Sequence, residues 1–137
     1  MRTIKKLLFL AICFIIAFSG CKKYDQGPII SILTKKSRVI NVWKIERTIT
    51  NGQYQAGGDN YFIEFKKEGK AECTVVIGST SIVTEGIWTF DEKKESLLVT
   101  FGTNTATHKI LKLKAKELWW LDEGGGGFVQ ETRLIPR

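Results

Sequence analysis

The chain has 137 residues, with 21 Lys and Arg against 14 Asp and Glu, a formal net charge of +7 and 43% hydrophobic residues. That length suits one small domain with a modest core. The mild excess of Lys is too thin to mark a nucleic-acid binder.

Arg2, Lys5 and Lys6 precede twelve continuous apolar residues, Leu7 to Phe18, and the small residues Ser19 and Gly20 follow. Charge, short apolar core and small residues are the layout of a secretory signal. Twelve helical residues span about 18 Å, too little for a bilayer core of about 30 Å. The tetrad Phe18-Ser19-Gly20-Cys21 resembles the bacterial lipobox, with Phe18 where Leu is usual. The resemblance implies cleavage before Cys21 and acylation of that cysteine. Two or three acyl chains hold a protein on a membrane durably, where one alone holds it reversibly. Lys22 stands where many inner-membrane lipoproteins carry Asp, so an outer-membrane location is expected. Residues 1–20 are thus read as a signal peptide, 21–28 as acylated Cys and tether, and 29–137 as the folded domain. Loss of the leader takes the charge to +4 over 117 residues.

Pro28 opens "PIISILTKKS", where Ile29, Ile32 and Leu33 fall at i, i+3 and i+4 ahead of Lys35 and Lys36. This predicts one short amphipathic helix. Beyond Arg38 the apolar period becomes two, which predicts eight strands. They are Val39–Thr50, Asn60–Lys66, Lys70–Ile77, Ile82–Phe90, Ser96–Phe101, Ala106–Lys114, Glu117–Leu121 and Phe128–Ile135. Alternation sets Trp43 and Ile45 on one face, then Tyr61, Ile63 and Phe65, then Ala71, Cys73, Val75 and Ile77. Gly86, Trp88 and Phe90 come next, with Leu97, Val99 and Phe101, Leu118 and Trp120, and Phe128 and Leu134. Ile110, Leu111 and Leu113 cannot all face inward without a bulge. Short connections imply an antiparallel up-and-down meander, and eight strands with an apolar inner face close into a barrel.

In such a meander the connections alternate between two ends. Asn51–Asp59, Gly78–Ser81, Gly102–Thr105 and Asp122–Gly127 are rich in Gly, Ser, Thr or Asn, and form the expected mouth. Lys67–Gly69, Asp91–Glu95 and Ala115–Lys116 are short and charged. Lys66, Lys67, Lys70, Lys93, Lys94, Lys114 and Lys116 therefore gather at the end where the tether enters. Lysines near anionic headgroups contribute about 1 kcal/mol each, so this basic end is expected to face the membrane.

"NVWKI", "YFIEFKKEGKAE", "EGIWTFDEKKESLLVTF" and "KILKLKAKELWWLDE" resemble the lipocalin-like lipoproteins of Bacteroidetes over residues 30–135. The resemblance implies an all-β, eight-stranded lipocalin-like barrel on a lipid anchor. Asn41 stands where lipocalins proper have Gly in G-x-W, and Gly86-x-Trp88 carries that pattern on the fourth strand.

Two functions are compatible with this reading. A small hydrophobic ligand would lie among Trp43, Tyr61, Phe65, Trp88, Phe90, Phe101, Trp120 and Phe128, with Tyr54 on the first mouth loop as a lid. Alternatively, large rings fill an eight-stranded barrel, which then serves as an envelope accessory or protein-binding module. Trp119 and Leu121, if outward, would make an apolar patch. Catalysis is not expected: His108 has no carboxylate in its own strand, and Glu64 and Glu85 face outward. No P-loop, HExxH, GxSxG or EF-hand pattern occurs. No cofactor or metal is expected, since His108 and the lone domain cysteine, Cys73, cannot make a four-ligand site.

Overall fold

The computed structural model describes residues 33–137. The expected signal peptide, the acylated Cys21, the tether and the start of the expected helix lie outside the described residues. A single helical turn, α1 (Lys35–Val39), is present. Its lysines open the helix, whereas the apolar spacing puts them at a helix end. The reason is Thr34, whose Oγ1 accepts the Ser37 N–H at 3.1 Å and caps the turn. Val39 ends α1 instead of starting a strand, and its buried carbonyl accepts Trp43 Nε1–H at 2.8 Å.

Nine strands come after it: β1 (Asn41–Thr50), β2 (Gln53–Ala56), β3 (Tyr61–Phe65), β4 (Lys70–Ile77), β5 (Thr80–Phe90), β6 (Ser96–Phe101), β7 (Asn104–Lys114), β8 (Glu117–Glu123) and β9 (Val129–Pro136). All neighbours are antiparallel, and β1 pairs with β9 to close the ring. Eight strands make the barrel, and β2 is an addition to it. One edge of β1 is shared: Asn41–Lys44 pair with β3, and Arg47–Thr50 pair with β2.

β2 corrects the expectation of a loop over Asn51–Asp59. Asn51 and Gly52 both have positive φ, 49° and 82°, and make the two-residue turn whose twist suits a hairpin. The Asn-Gly pair was the signal for it. Two bulges set the rest. Glu46 is the extra residue in β1 against β9, between Ile45↔Leu134 and Arg47↔Arg133. Leu111 is the extra residue in β7, between Ile110↔Trp120 and Lys112↔Trp119, so Ile110 and Leu113 both reach the core as the sequence required.

The interior is filled most densely toward the end that α1 covers. Trp43, Phe65, Trp88, Leu97, Leu113, Leu118 and Leu134 are buried there. Phe65 meets Trp88 edge-on at 5.5 Å, and Trp88 meets Phe90 at 5.8 Å. Trp88 Nε1–H donates to the Lys66 carbonyl at 3.0 Å. Arg38 donates to the Leu113 carbonyl at 3.2 Å and ties α1 to the end of β7. This end is plugged by side chains with their polar atoms satisfied.

Toward the other end the β4–β5 hairpin runs past the barrel. The β5–β6 ladder stops at Gly86↔Phe101, so Thr80–Glu85 extend beyond it. Ile77 has the inward parity, yet it is 63% exposed because the hairpin tip stands clear of the ring.

Gly86 on β5 has no room for a side chain against β6. A Cβ there would lie 2.3 Å from the Thr100 carbonyl oxygen and 2.5 Å from the Phe101 ring. Gly86→Val is expected to cost about 1–3 kcal/mol, the usual range for overpacking, in urea unfolding. Gly125→Ala, with open space around it, is the control and should shift stability by less than about 0.5 kcal/mol.

Candidate functional site

Above the plug the inward side chains shrink. Thr48, Thr132 and Ala106 replace Trp and Leu at that level, and Gly86 presents no side chain at all. A cup of ≈ 340 Å³ opens there, lined by Tyr61 and Ile63 of β3, Val99 and Phe101 of β6, Asn104–Ala106 and His108 of β7, and Trp120 of β8. The bare Gly86 leaves room for the Phe101 ring, which lines the cup.

The polar side of the cup is built across β7 and β8. The ladder pairs Lys109 with Leu121, which brings His108 opposite Asp122. His108 Nδ1 hydrogen-bonds Asp122 Oδ1, and the other carboxylate oxygen accepts Trp120 Nε1–H at 3.1 Å. The imidazole stacks on the Trp120 ring at 4.5 Å. A carboxylate only accepts, so Nδ1 is the donor. His108 is thus held in one orientation and one tautomer, with Nε2 as its remaining polar atom. Sequence reading ends the strand at Leu121 and so misses Asp122. The signal was the pairing register, one step beyond that strand end.

Tyr61 brings a phenol hydroxyl to the cup. Burial raises its phenol pKa, and a hydrogen bond with the Cys73 side chain raises it further. Cys73 is a free, half-buried thiol facing inward on β4. Among the described residues no group of three or more His, Cys, Asp or Glu is placed to hold a metal.

The nine residues expected around a ligand separate into four groups. Tyr61, Phe101 and Trp120 line the cup. Trp43, Phe65, Trp88 and Phe90 belong to the plug and its margin, so they form its floor rather than its walls. Phe128 precedes β9, is 40% exposed and covers Gly124 at the rim. Tyr54 is no lid: it sits opposite Ile49 on the outer face, with the Arg47 guanidinium 5.7 Å from its ring. The Glu46 bulge sets that parity. Ile63, Val99, Ala106, His108 and Asp122 complete the site.

The other expectations resolve similarly. Trp119 does face outward but is no bare patch, because Lys112 and Arg133 each stand 3.9 Å from its ring centre. Glu64 and Glu85 flank Glu72 on the outer face, where Lys66 hydrogen-bonds Glu72 and lies 3.8 Å from Glu64. That hydrogen bond raises the Lys66 pKa. The turns bearing Lys66, Lys67, Lys70, Lys93, Lys94, Lys114 and Lys116 do share one end with α1. Glu117 partly neutralises that end, with Lys112 at 2.9 Å and Lys114 at 3.7 Å. A wider groove of ≈ 630 Å³ also opens there among Lys36, Glu68, Ile87, Asp91, Glu92 and Lys94. Ile87, Trp88 and Phe90 of β5 also line it, but it lies outside the bore and carries five charged side chains of both signs, whereas the cup opens into the barrel interior.

Neither a protein-family model nor a curated protein matches the sequence. Solved structures do. A lipocalin-like protein from Bacteroides uniformis aligns at a TM-score of 0.60 and 11% identity, covering 73% of this chain and 99% of that one. An uncharacterized protein from Bacteroides eggerthii aligns at 0.58 and 13%, covering 72% and 98%. A redesigned β-barrel aligns at 0.51 and 12%, covering 79% and 99%. At such identities the likeness is one of fold: the chain is a closed, lipocalin-like antiparallel barrel with one strand added.

Tyr61 gives the site a pH signature. Its raised pKa means that folding disfavours the phenolate, so its contribution is complete below the unfolded value of about 10 and is lost as pH rises above it. Tyrosinate absorbance is expected to show a step later than that of a free phenol. Tyr61→Phe should remove the late step and leave the earlier ones.

Proposed function

We propose that this chain is a lipid-anchored protein of the bacterial envelope, most consistent with the outer membrane, whose barrel carries a small, largely apolar molecule in the mouth cup. The observation that carries the reading is the cup itself. A space of ≈ 340 Å³ lies within the range of small-molecule sites, with apolar walls and a few convergent polar groups. A side-chain-filled barrel would have been solid at the Phe101–Trp120 level. The leader and Cys21 supply the anchor, and α1 enters on the basic end, so acyl chains and lysines would meet the same membrane surface while the mouth points away.

A second reading has its own support. Ile77, Ile82 and Val83 on the extended β4–β5 hairpin are 63%, 52% and 55% exposed. Exposed apolar side chains on an extended ribbon suit an envelope accessory that docks onto another protein.

Ala106 faces the cup from β7 opposite Val99, and enlarging it blocks the space without touching the plug. Wild-type protein is expected to bind neutral N-phenylnaphthylamine saturably, one per chain, by fluorescence. Ala106→Trp should weaken this by at least about tenfold, or 1.4 kcal/mol, with an unchanged unfolding midpoint. Equal binding by both forms, or none by the wild type, sinks the cup as a ligand site. The anchor is tested separately: Cys21→Ser should abolish palmitate labelling in cells, and labelling equal to wild type overturns it.

A further inference from the structure

We infer that the cup selects a neutral, hydroxyl-bearing ring compound, with His108 Nε2 accepting a hydrogen bond from the ligand's hydroxyl; the inference rests on the cup being a ligand site. The geometry leads there in three steps. Asp122 accepts from His108 Nδ1 and from Trp120 Nε1, so its charge is already engaged by two donors. In the singly protonated form, with its proton on Nδ1, His108 leaves Nε2 as an acceptor. No hydrogen bond to Nε2 is formed by the described residues, and none of their buried side-chain polar atoms lacks a partner. Nε2 is therefore open to the cup that His108 lines, and water or a ligand must satisfy it.

The walls decide the rest. Phe101 and Trp120 offer ring surfaces, and Val99, Ile63 and Ala106 offer aliphatic ones, which suits a flat apolar body. The charged side chain at the cup is the Asp122 carboxylate, while Lys and Arg are absent from the residues lining it. An anionic head would approach that carboxylate without a cation to offset it. A neutral donor meets an acceptor instead. The Tyr61 hydroxyl, which also lines the cup, is engaged with Cys73.

The test compares three probes of one shape: 2-naphthol, 2-methoxynaphthalene and 2-naphthoate. They are titrated against the whole domain near neutral pH by isothermal calorimetry. The naphthol is expected to bind about tenfold more tightly than the methyl ether, which cannot donate, and the naphthoate is expected to bind most weakly. His108→Phe keeps a ring stacked on Trp120 and removes the acceptor. It should bring the naphthol down to the level of the ether and leave the ether unchanged. Asp122→Asn, which frees the tautomer, should narrow the gap between them to below about threefold, and it covers the case in which His108→Phe does not fold. Equal binding of naphthol and ether by the wild type, or preference for the naphthoate, overturns the inference and leaves the cup standing. Failure of all three probes to bind removes the cup as a ligand site together with the inference.

Discussion

Closure of the ladder between β1 and β9 is the constraint on which everything else rests. Once eight strands form a ring, its bore is about as wide as the side chains that point into it, and residue size at each level decides whether that level is solid. At the level of Trp43, Phe65, Trp88, Leu113, Leu118 and Leu134 the bore is full. At the level of Thr48, Gly86, Ala106 and Thr132 it is not. The cup is the direct result of a taper in side-chain volume along strands of constant spacing. The plug also supplies what a ligand site needs, a rigid floor that excludes water from below.

The seam imposes a second effect. β1 must pair with β9 on one edge and with both β2 and β3 on the other, and the Glu46 bulge lets it do so. That extra residue reverses the parity of the rest of the strand. Thr48 and Thr50 turn inward, whereas Arg47, Ile49 and their neighbour Tyr54 turn out. Threonines of β1 therefore point inward at the mouth level, while the rings of Phe101 and Trp120 line the cup on β6 and β8. A site with unlike walls orients a molecule, where a uniformly apolar one would only hold it.

The two ends then divide the chemistry. The basic end is plugged and hydrogen-bonded through Trp43, Trp88 and Arg38, so it can bear against a surface without opening the core. The mouth carries the glycine turns, the extended β4–β5 hairpin and the His108–Asp122 pair. The proposed anchor at one end and the proposed ligand cup at the other would keep attachment and binding from competing for the same residues.

Much of this was written into the chain. Alternation at Tyr61–Phe65, Ala71–Ile77 and Leu97–Phe101, and glycine-bearing turns such as Gly78 and Gly102, predict strands, their directions and the end each turn occupies, because pleat and turn chemistry act over a few residues. Even the β7 bulge was legible, since three apolar residues compete for two inward places. The Asn51-Gly52 hairpin was equally local, although the polar run around it reads as a loop. Other features had no local sign. His108 meets Asp122, Tyr54 turns away and Ile77 stands in solvent because of pairing register, a bulge in another strand and the point where a neighbouring ladder stops. Local pattern determined which segments are strands and which of their faces is apolar. Only ring closure decided which inward residues fill the bore and which are left around an open space, because that depends on what stands opposite each one across the barrel.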